Sequence, residues 1–590
     1  MGQTSTDDKG ESHIIADSEA MRVASWDEGL QAESKGGFGQ RIINSFKRDP
    51  NAFISQPLNS GKTGFDAEGA AAATAASPLK RKLKSRHLQM IAIGGSIGTG
   101  LFVGSGRSLA AGGPASVVIA FIIVGLMLYA TIHALGELAV MYPVAGAFAH
   151  YSTRFLDPAW GFAMGWNYAI LWLTLLPLEI VAAGITVGYW EASVSPAAWV
   201  SMFYVMIVVI NLFGVLGYGE AEFVFSIIKV VAVIGFIILG IVLNCGGGPN
   251  GDYIGGRYWH DPGAFNNGFK GLCSVFVTAA FTFGGGELVG LAAAETANPR
   301  KSIPTAVKQV FWRIILFYIV SMVVVGLLVP YTDERLLNGS GSADVKASPF
   351  VIAIKDAGIK GLDSVMNAVI MISVLSVGNA AIYGSSRTLT ALAEQNQAPA
   401  FLAYIDRKGR PLMSIIVASV IGLLGFLAAT PKRQDAFMWM LAISGLSAVF
   451  TWGSICLAHI RFRRGWRLQG HSVDELPFKA QGGVITSWIG FAINCIVLIA
   501  QFWTGLAPIG YTKMSSSERA KYFFSTYLAA PIVLAFYVAY KLRYRTTIVR
   551  SKDMDLNTGR RDLNLQHLIA EEKAERQTWP RWKKVYKAFC

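Results

Sequence analysis

Residues 87–106, HLQMIAIGGSIGTGLFVGSG, open like a membrane-spanning helix and then interrupt it. Gly94, Gly95, Gly98 and Gly100 stand in the middle of the stretch, where each glycine costs about 1 kcal/mol relative to alanine in a helix. Lipid offers no partner to an unwound N–H or C=O, so such a break is tolerated only where it faces protein or a polar cavity. A glycine-broken span is therefore a candidate binding site. A second break at a corresponding position further along the chain strengthens that reading.

The remaining sequence supplies the membrane. Of the 590 residues, 53% are hydrophobic and 15% charged, a balance that argues against a string of soluble domains. Between Leu88 and Tyr540 the chain is a series of apolar runs, among them Val117 to Leu135 and Ile314 to Val329, close to the roughly 20 residues that cross a bilayer. The expected fold is an all-α polytopic membrane protein of about 12 helices, at about 87–110, 115–141, 161–188, 197–217, 220–243, 269–295, 309–330, 362–389, 411–429, 435–460, 482–503 and 522–541.

Charge sets the orientation. The net charge is +14, but the basic residues crowd beside spans: Lys80, Arg81, Lys82, Lys84 and Arg86 before the first, Arg461, Arg463, Arg464 and Arg467 after a later one. Such clusters mark cytoplasmic flanks rather than a nucleic-acid partner. The start of the chain has no apolar core and reads as no signal peptide. Residues 1–86 are expected to form a cytoplasmic tail, disordered to about residue 79, and residues 542–590 a second cytoplasmic tail. Asn338-Gly339-Ser340, on the predicted outside, is a candidate N-glycosylation site. The five cysteines show neither a disulfide framework nor metal-ligand spacing.

The second break lies in residues 271–295, GLCSVFVTAAFTFGGGELVGLAAAE, where Gly284, Gly285 and Gly286 fall in mid-span, five helices after the first. Paired interrupted segments are the sequence signature of a transporter site built on an inverted repeat. An unwound segment presents free N–H groups at the start of one half-helix and free carbonyls at the end of another. The amides of Ser96, Ile97, Gly98, Thr99 and Gly100 are thus candidates to hold a carboxylate. The carbonyls of Phe281, Thr282, Phe283 and Gly284 are candidates for an ammonium group. A free α-amino acid carries both charges this close together.

GGSIGTGLF at 94–102, FTFGGGELVGLAAAETANPRKSIP at 281–304 and SVLSVGNAAIYGSSR at 373–387 resemble the amino acid–polyamine–organocation superfamily, in particular its fungal amino-acid permeases. The likeness extends over nearly all the spans and through FVIAIKDAGIKGL at 350–362. It implies two inverted five-helix repeats (87–243 and 269–460) and two further helices (482–541), within a transporter domain spanning 87–541. It also implies uptake of free L-amino acids driven by protons, with the proton as coupling ion and no other cofactor. The type it resembles within the family is the broad-specificity one. A narrow cationic or proline permease and a non-transporting amino-acid sensor are the alternatives.

Ionisable residues inside a membrane are expensive and are functional candidates. Lys229, in FVFSIIKVVAVIGFIILG, lies among apolar neighbours about a third of the way along the fifth span. Two roles are open to it: a fixed ammonium bracing the fifth span against the first and eighth, or the carrier of the coupling proton. Glu287 follows the second break, at the start of a half-helix, where the dipole favours a carboxylate, and is a candidate for gating or coupling. Glu179 lies deep in the third span, two residues after Pro177, which is expected to kink it and to aim the carboxylate at the solute or at a proton path, making Glu179 a further candidate for gating or coupling. Glu137 is expected to pair with a basic inner-loop residue. Trp172, Thr174, Ser376 and Ser444 are candidates for the side-chain pocket, with Phe283, Asn379 and Ser447 behind them.

The tails carry the remaining expectations. Lys9 and Lys35 are accessible lysines for a ubiquitin ligase. Leu563, Leu565, Leu568 and Ile569 have the spacing of a short amphipathic helix, and Cys590 is a candidate for S-acylation. The whole reads as a plasma-membrane protein that passes through secretory and endosomal membranes. No nucleophile, base and orienter are grouped as an enzyme requires, and no phosphate-binding ATPase motif is present.

Overall fold

The computed structural model describes residues 38–49, 66–190, 194–339, 348–430, 433–560 and 578–580. Within these the chain is helical, and its only bridges are isolated ones, Arg48 with Asp406 and Leu83 with Thr296. The helices that carry the site are α1 (Ser85–Gly94), α2 (Gly100–Met141), α3 (Ala147–Phe155), α4 (Pro158–Val187), α5 (Pro196–Leu212) and α6 (Gly214–Asn244). They continue as α7 (Gly268–Phe283), α8 (Pro299–Leu328), α9 (Leu362–Glu394), α10 (Leu412–Leu427), α11 (Arg433–Leu468), α12 (Gly483–Leu506), α13 (Ser516–Tyr527) and α14 (Ala529–Tyr544).

Eight helices among the described residues are long and apolar enough to cross a membrane, or nine if the bent pair α13 and α14 is one span. This is fewer than twelve. The difference has physical sources: α5 and α10 are short, and the first two expected spans join in one helical run. That run still turns at Gly113, whose φ of +77° is open to glycine at no steric cost, just before Pro114.

The spans differ in how they are enclosed. In α4 and α9, 78% of the most apolar window is buried, against 28% in the run that begins with α12. Small residues permit this in α9: a Cβ on Gly384 would stand 2.8 Å from the ring of Trp172 on α4, and small residues are how helices approach closely in a membrane. In α6 the faces separate. Tyr218, Glu222, Ser226 and Lys229 are buried along one stripe, while Val224, Ile227, Val231 and Ile238 are exposed on the other, the pattern of a helix with its polar side toward protein and its apolar side toward lipid.

One expectation changes. Residues before 80 are not uniformly disordered: Phe38–Ser45 and Ala67–Ala75 are helical. Alanine is the best helix former and needs no amphipathic pattern to pack, so Ala70, Ala71 and Ala73 are buried and Thr74 meets His150 of α3 at 3.1 Å. The second tail is also docked as far as residue 560: Arg154 donates to the carbonyls of Asp555 and Thr558, and Tyr142 to that of Leu556, at 2.5, 2.7 and 2.8 Å. Pro177 lies inside α4, which continues through it. The expected helix at 563–569 and Cys590 lie outside the described residues, as do Lys9 and Lys35.

Candidate functional site: two broken helices around a cavity

The two glycine breaks meet. A Cβ on Gly100 would lie 2.6 Å from Cα of Thr282, and one on Gly285 would lie 3.0 Å from the Gly95 carbonyl oxygen. Gly285 also has φ of +96°, in the region that favours glycine. These glycines are therefore fixed by close backbone approach as well as by unwinding.

Each break leaves the polar groups that its helix ends dictate. The amide of Ile97 closes a turn onto Gly94 O at 3.0 Å, whereas those of Ser96, Gly98, Thr99 and Gly100 make no main-chain bond. On the other side Gly284 N bonds Phe281 O at 3.1 Å, and the carbonyls of Thr282, Phe283 and Gly284 accept no main-chain bond. A set of donors on one segment thus stands against a set of acceptors on the other.

A cavity opens between them. The first break contributes Ser96, Gly98, Thr99 and Gly100, the second Phe281, Gly284, Gly285 and Glu287, and the walls come from Leu171, Trp172, Leu175 and Glu179 of α4, Val377 of α9 and Ser444 and Ala448 of α11. Of the residues expected in the pocket, Trp172 and Ser444 line this cavity. Thr174 stands behind it, 3.1 Å from the Ser444 hydroxyl. Ser376 is turned to Lys229. Phe283 packs on Tyr318, with ring centroids 4.4 Å apart, and Thr282 Oγ1 donates to Thr278 O at 2.7 Å.

Three buried carboxylates surround the breaks. Glu179 accepts the hydroxyl of Thr99. Glu287 takes the N-cap position of the short half-helix Leu288–Leu291 and accepts from Trp452 Nε1 at 3.2 Å, Tyr168 Oη at 3.3 Å and Gly285 N at 3.3 Å. The third, Glu222, lies 3.4 Å from Lys229 Nζ. That ammonium also donates to Gly94 O at 2.6 Å and Ser376 Oγ at 2.7 Å, joining α6 to the end of α1 and to α9.

Glu222 and Arg313 were not singled out in the sequence, although both carry a readable signal. Glu222 is seven residues before Lys229, two helical turns away on the same face, with Ser226 between them. Arg313 falls inside the span expected at 309–330. Its guanidinium donates to Ala92 O at the end of α1, and a Cβ on Gly286 would lie 2.5 Å from its Nη2. From the same helix Tyr318 Oη meets Ser96 Oγ at 2.8 Å, so α8 holds both sides of the first break.

Away from the cavity, Glu295 and Arg387 form a buried pair, with Arg387 Nε 3.2 Å from Glu295 Oε2 and Tyr383 Oη 2.7 Å from the same oxygen. The backbone there joins the chain before α1, since Leu83 N donates to Glu295 O and Ala297 N to Leu83 O, both at 3.0 Å. Glu137 accepts from Arg463 Nη2 at 2.8 Å, so its basic partner stands on α11 rather than in a loop. Asn338 lies in the short helix Glu334–Gly339.

Interrupted helices that face one another across a cavity, within a polytopic bundle, are the architecture of a secondary transporter. The chain belongs to the amino acid permease family, whose model matches residues 87–552. It is 56% identical over 574 residues to a general amino-acid permease of Candida albicans, covering 96% of each chain. It is 53% identical over 572 residues to a general amino-acid permease of Saccharomyces cerevisiae, covering 95% of this chain and 93% of that one. A histidine permease of Saccharomyces cerevisiae is 50% identical, covering 85% of this chain and 83% of that one. The protein is a multi-pass transporter and not an enzyme.

Proposed function

We propose that the protein imports free amino acids of many side-chain types together with protons, by alternating access around the two breaks. The observation that carries this reading is the opposition of unbonded amides at Ser96 and Gly98–Gly100 to the unbonded carbonyls of the second break, of which Gly284 lines the same cavity. The amides and the positive end of the half-helix hold the substrate carboxylate. The carbonyls hold the ammonium group. The side chain then projects toward Trp172 and Ser444, with Gly284 and Gly285 leaving room for varied shapes.

Glu179 and Glu287 border both halves of this clamp and act in gating or proton coupling, while Lys229 is joined to the first break through Gly94 O. The likeness to two general amino-acid permeases supports broad specificity. A narrow range is the second reading, favoured by the similar identity to a histidine permease. The working location is the plasma membrane with both tails in the cytosol, where Lys9 and Lys35 meet a ubiquitin ligase. Asn338 is a glycan acceptor on the outer side, and Cys590 an acylation site on the inner leaflet.

The test is uptake of a labelled amino acid in cells lacking their own permeases, with each of the twenty amino acids as competitor. Broad competition and loss of accumulation on adding a proton uncoupler are expected. Competition by one chemical class alone would establish the narrow reading, and accumulation indifferent to the uncoupler would reject proton coupling.

A further inference from the structure

The stripe on α6 contains a complete polar cluster at which an acid and a base are both fully buried. Lys229 and Glu222 each have no exposed side-chain surface. Lys229 has three N–H donors, and the structure offers three acceptors: Gly94 O at 2.6 Å, Ser376 Oγ at 2.7 Å and Glu222 Oε1 at 3.4 Å. Ser376 in turn donates to Glu222 Oε2 at 2.6 Å. A hydroxyl has one proton to give, so a Ser376 that gives it to Glu222 must accept from Lys229. The bonds are consistent with an ammonium at Lys229 and an ionised carboxylate at Glu222. Ser226 Oγ stands 3.2 Å from Glu222 Oε1 and 3.1 Å from Met90 O, with one proton to give to either.

We propose that Glu222 carries the coupling proton, with Lys229 as its fixed charge partner and the Ser376 hydroxyl as the bridge between them. The inference rests on the symport reading above. When Glu222 takes up a proton, an O–H bond forms on one of its oxygens and the pair goes from net neutral to a single positive charge. No other bond is made or broken, and release to the opposite side restores the ion pair. Protonation removes the anion against which Lys229 rests and turns one acceptor of the cluster into a donor. The ammonium then rests on Gly94 O and Ser376, with at most a neutral carbonyl oxygen left to it at Glu222. Gly94 O ends α1 at the first break, so the change reaches the segment whose next amides face the cavity.

The charged and titratable groups around the pair are few. Glu179 of α4 acts on Lys229. Tyr218, one turn before Glu222 on α6, acts with Glu222, Arg387 and Glu295 in one buried group, and its ring stacks on Tyr383 of α9 with centroids 4.1 Å apart. From α1, His87 contacts Glu220 at 3.0 Å. Position separates Glu222 from Glu179 and Glu287: those two line the cavity, whereas Glu222 is not among its lining and is buried against Lys229 and Ser376. A proton on Glu222 and an amino acid in the cavity can therefore be bound together.

The test uses full-length protein in proteoliposomes and compares two readouts of the same labelled amino acid: accumulation driven by an imposed proton gradient, and counterflow exchange at equal pH on both sides. Glu222→Gln is expected to hold substrate at the equilibrium level under the gradient while exchange persists and loses its pH dependence. Glu222→Asp, which restores an acid, is expected to recover part of the accumulation. Glu222→Gln accumulating like wild type with the same pH profile would overturn the proposal. So would loss of exchange along with accumulation in a correctly folded variant, which would make Glu222 a structural prop. Wild-type accumulation that ignores the gradient would instead overturn the symport reading, and this inference with it.

Discussion

Thr99 donates its hydroxyl hydrogen to the Glu179 carboxylate, tying the first glycine break to the middle of α4. Both residues border the cavity. Removing the donor leaves a buried carboxylate short of a partner, a loss of about 1–3 kcal/mol. Thr99→Val keeps the shape and is expected to raise the concentration for half-maximal uptake by about 5- to 150-fold, with Thr99→Ser close to wild type. Uptake kinetics normalised to surface protein measure this, and an unchanged Thr99→Val would detach Thr99 from the site.

The close approach of the two breaks predicts a sharp ranking among glycines. Gly100→Ala places its methyl 2.6 Å from Cα of Thr282, a backbone atom that cannot swing away, whereas Gly188 has nothing within 4 Å. Overpacking of this kind costs about 1–3 kcal/mol. Gly100→Ala is expected to lose at least about nine-tenths of transport, while Gly188→Ala stays near wild type. Equal activity of the two would mean that the breaks do not pack as described.

How much of this was legible before the structure follows from what periodicity can encode. The glycine runs at 94–100 and 284–286 announced two breaks, because clustered glycine weakens a span unless the backbone there unwinds or packs closely. Lys229 announced either a brace to the first and eighth spans or a proton carrier, and its ammonium meets Gly94 O and Ser376 on those spans. Glu222 was within reach of the same face argument. The cavity wall was not: whether Thr174 or Ser444 faces the substrate depends on how α4 and α11 rotate against each other, and both lie in helices apolar on nearly all sides. The docked segments at 38–49 and 545–560 were hidden for a different reason, since Arg410 and Arg154 take backbone carbonyls there, contacts that leave no pattern in the sequence.

The Glu295–Arg387 pair should behave as a buried ion pair does. Removing one partner strands the other charge and costs about 3–5 kcal/mol, while removing both costs less. Arg387→Gln alone is thus expected to lower the melting temperature of the purified protein more than Glu295→Gln combined with Arg387→Gln. Additive losses in a thermal-unfolding cycle would show that the two side chains are not coupled.

Docking of the helix Ala67–Ala75 carries a pH dependence. Burial pushes His150, on the short helix α3, down to about 3, so the folded protein keeps it neutral. The unfolded chain, with a histidine of ordinary value near 6.5, binds the proton first. Stability from this group is therefore full above about pH 6.5 and falls by about 1.4 kcal/mol per pH unit below it, until the folded value is reached. His150→Asn is expected to flatten the loss of thermal stability between pH 7 and 5. A variant with the same slope as wild type would assign that loss to other groups.

The central claim is that one solute must offer both a carboxylate and an ammonium group to the two breaks. Displacement of a labelled amino acid from the purified protein tests this most directly, using three ligands that share one side chain: the amino acid, the amine lacking its carboxylate and the acid lacking its amino group. The account predicts displacement by the amino acid alone, with the other two weaker by at least about 100-fold. Displacement by either truncated ligand at the concentration of the intact amino acid would contradict it.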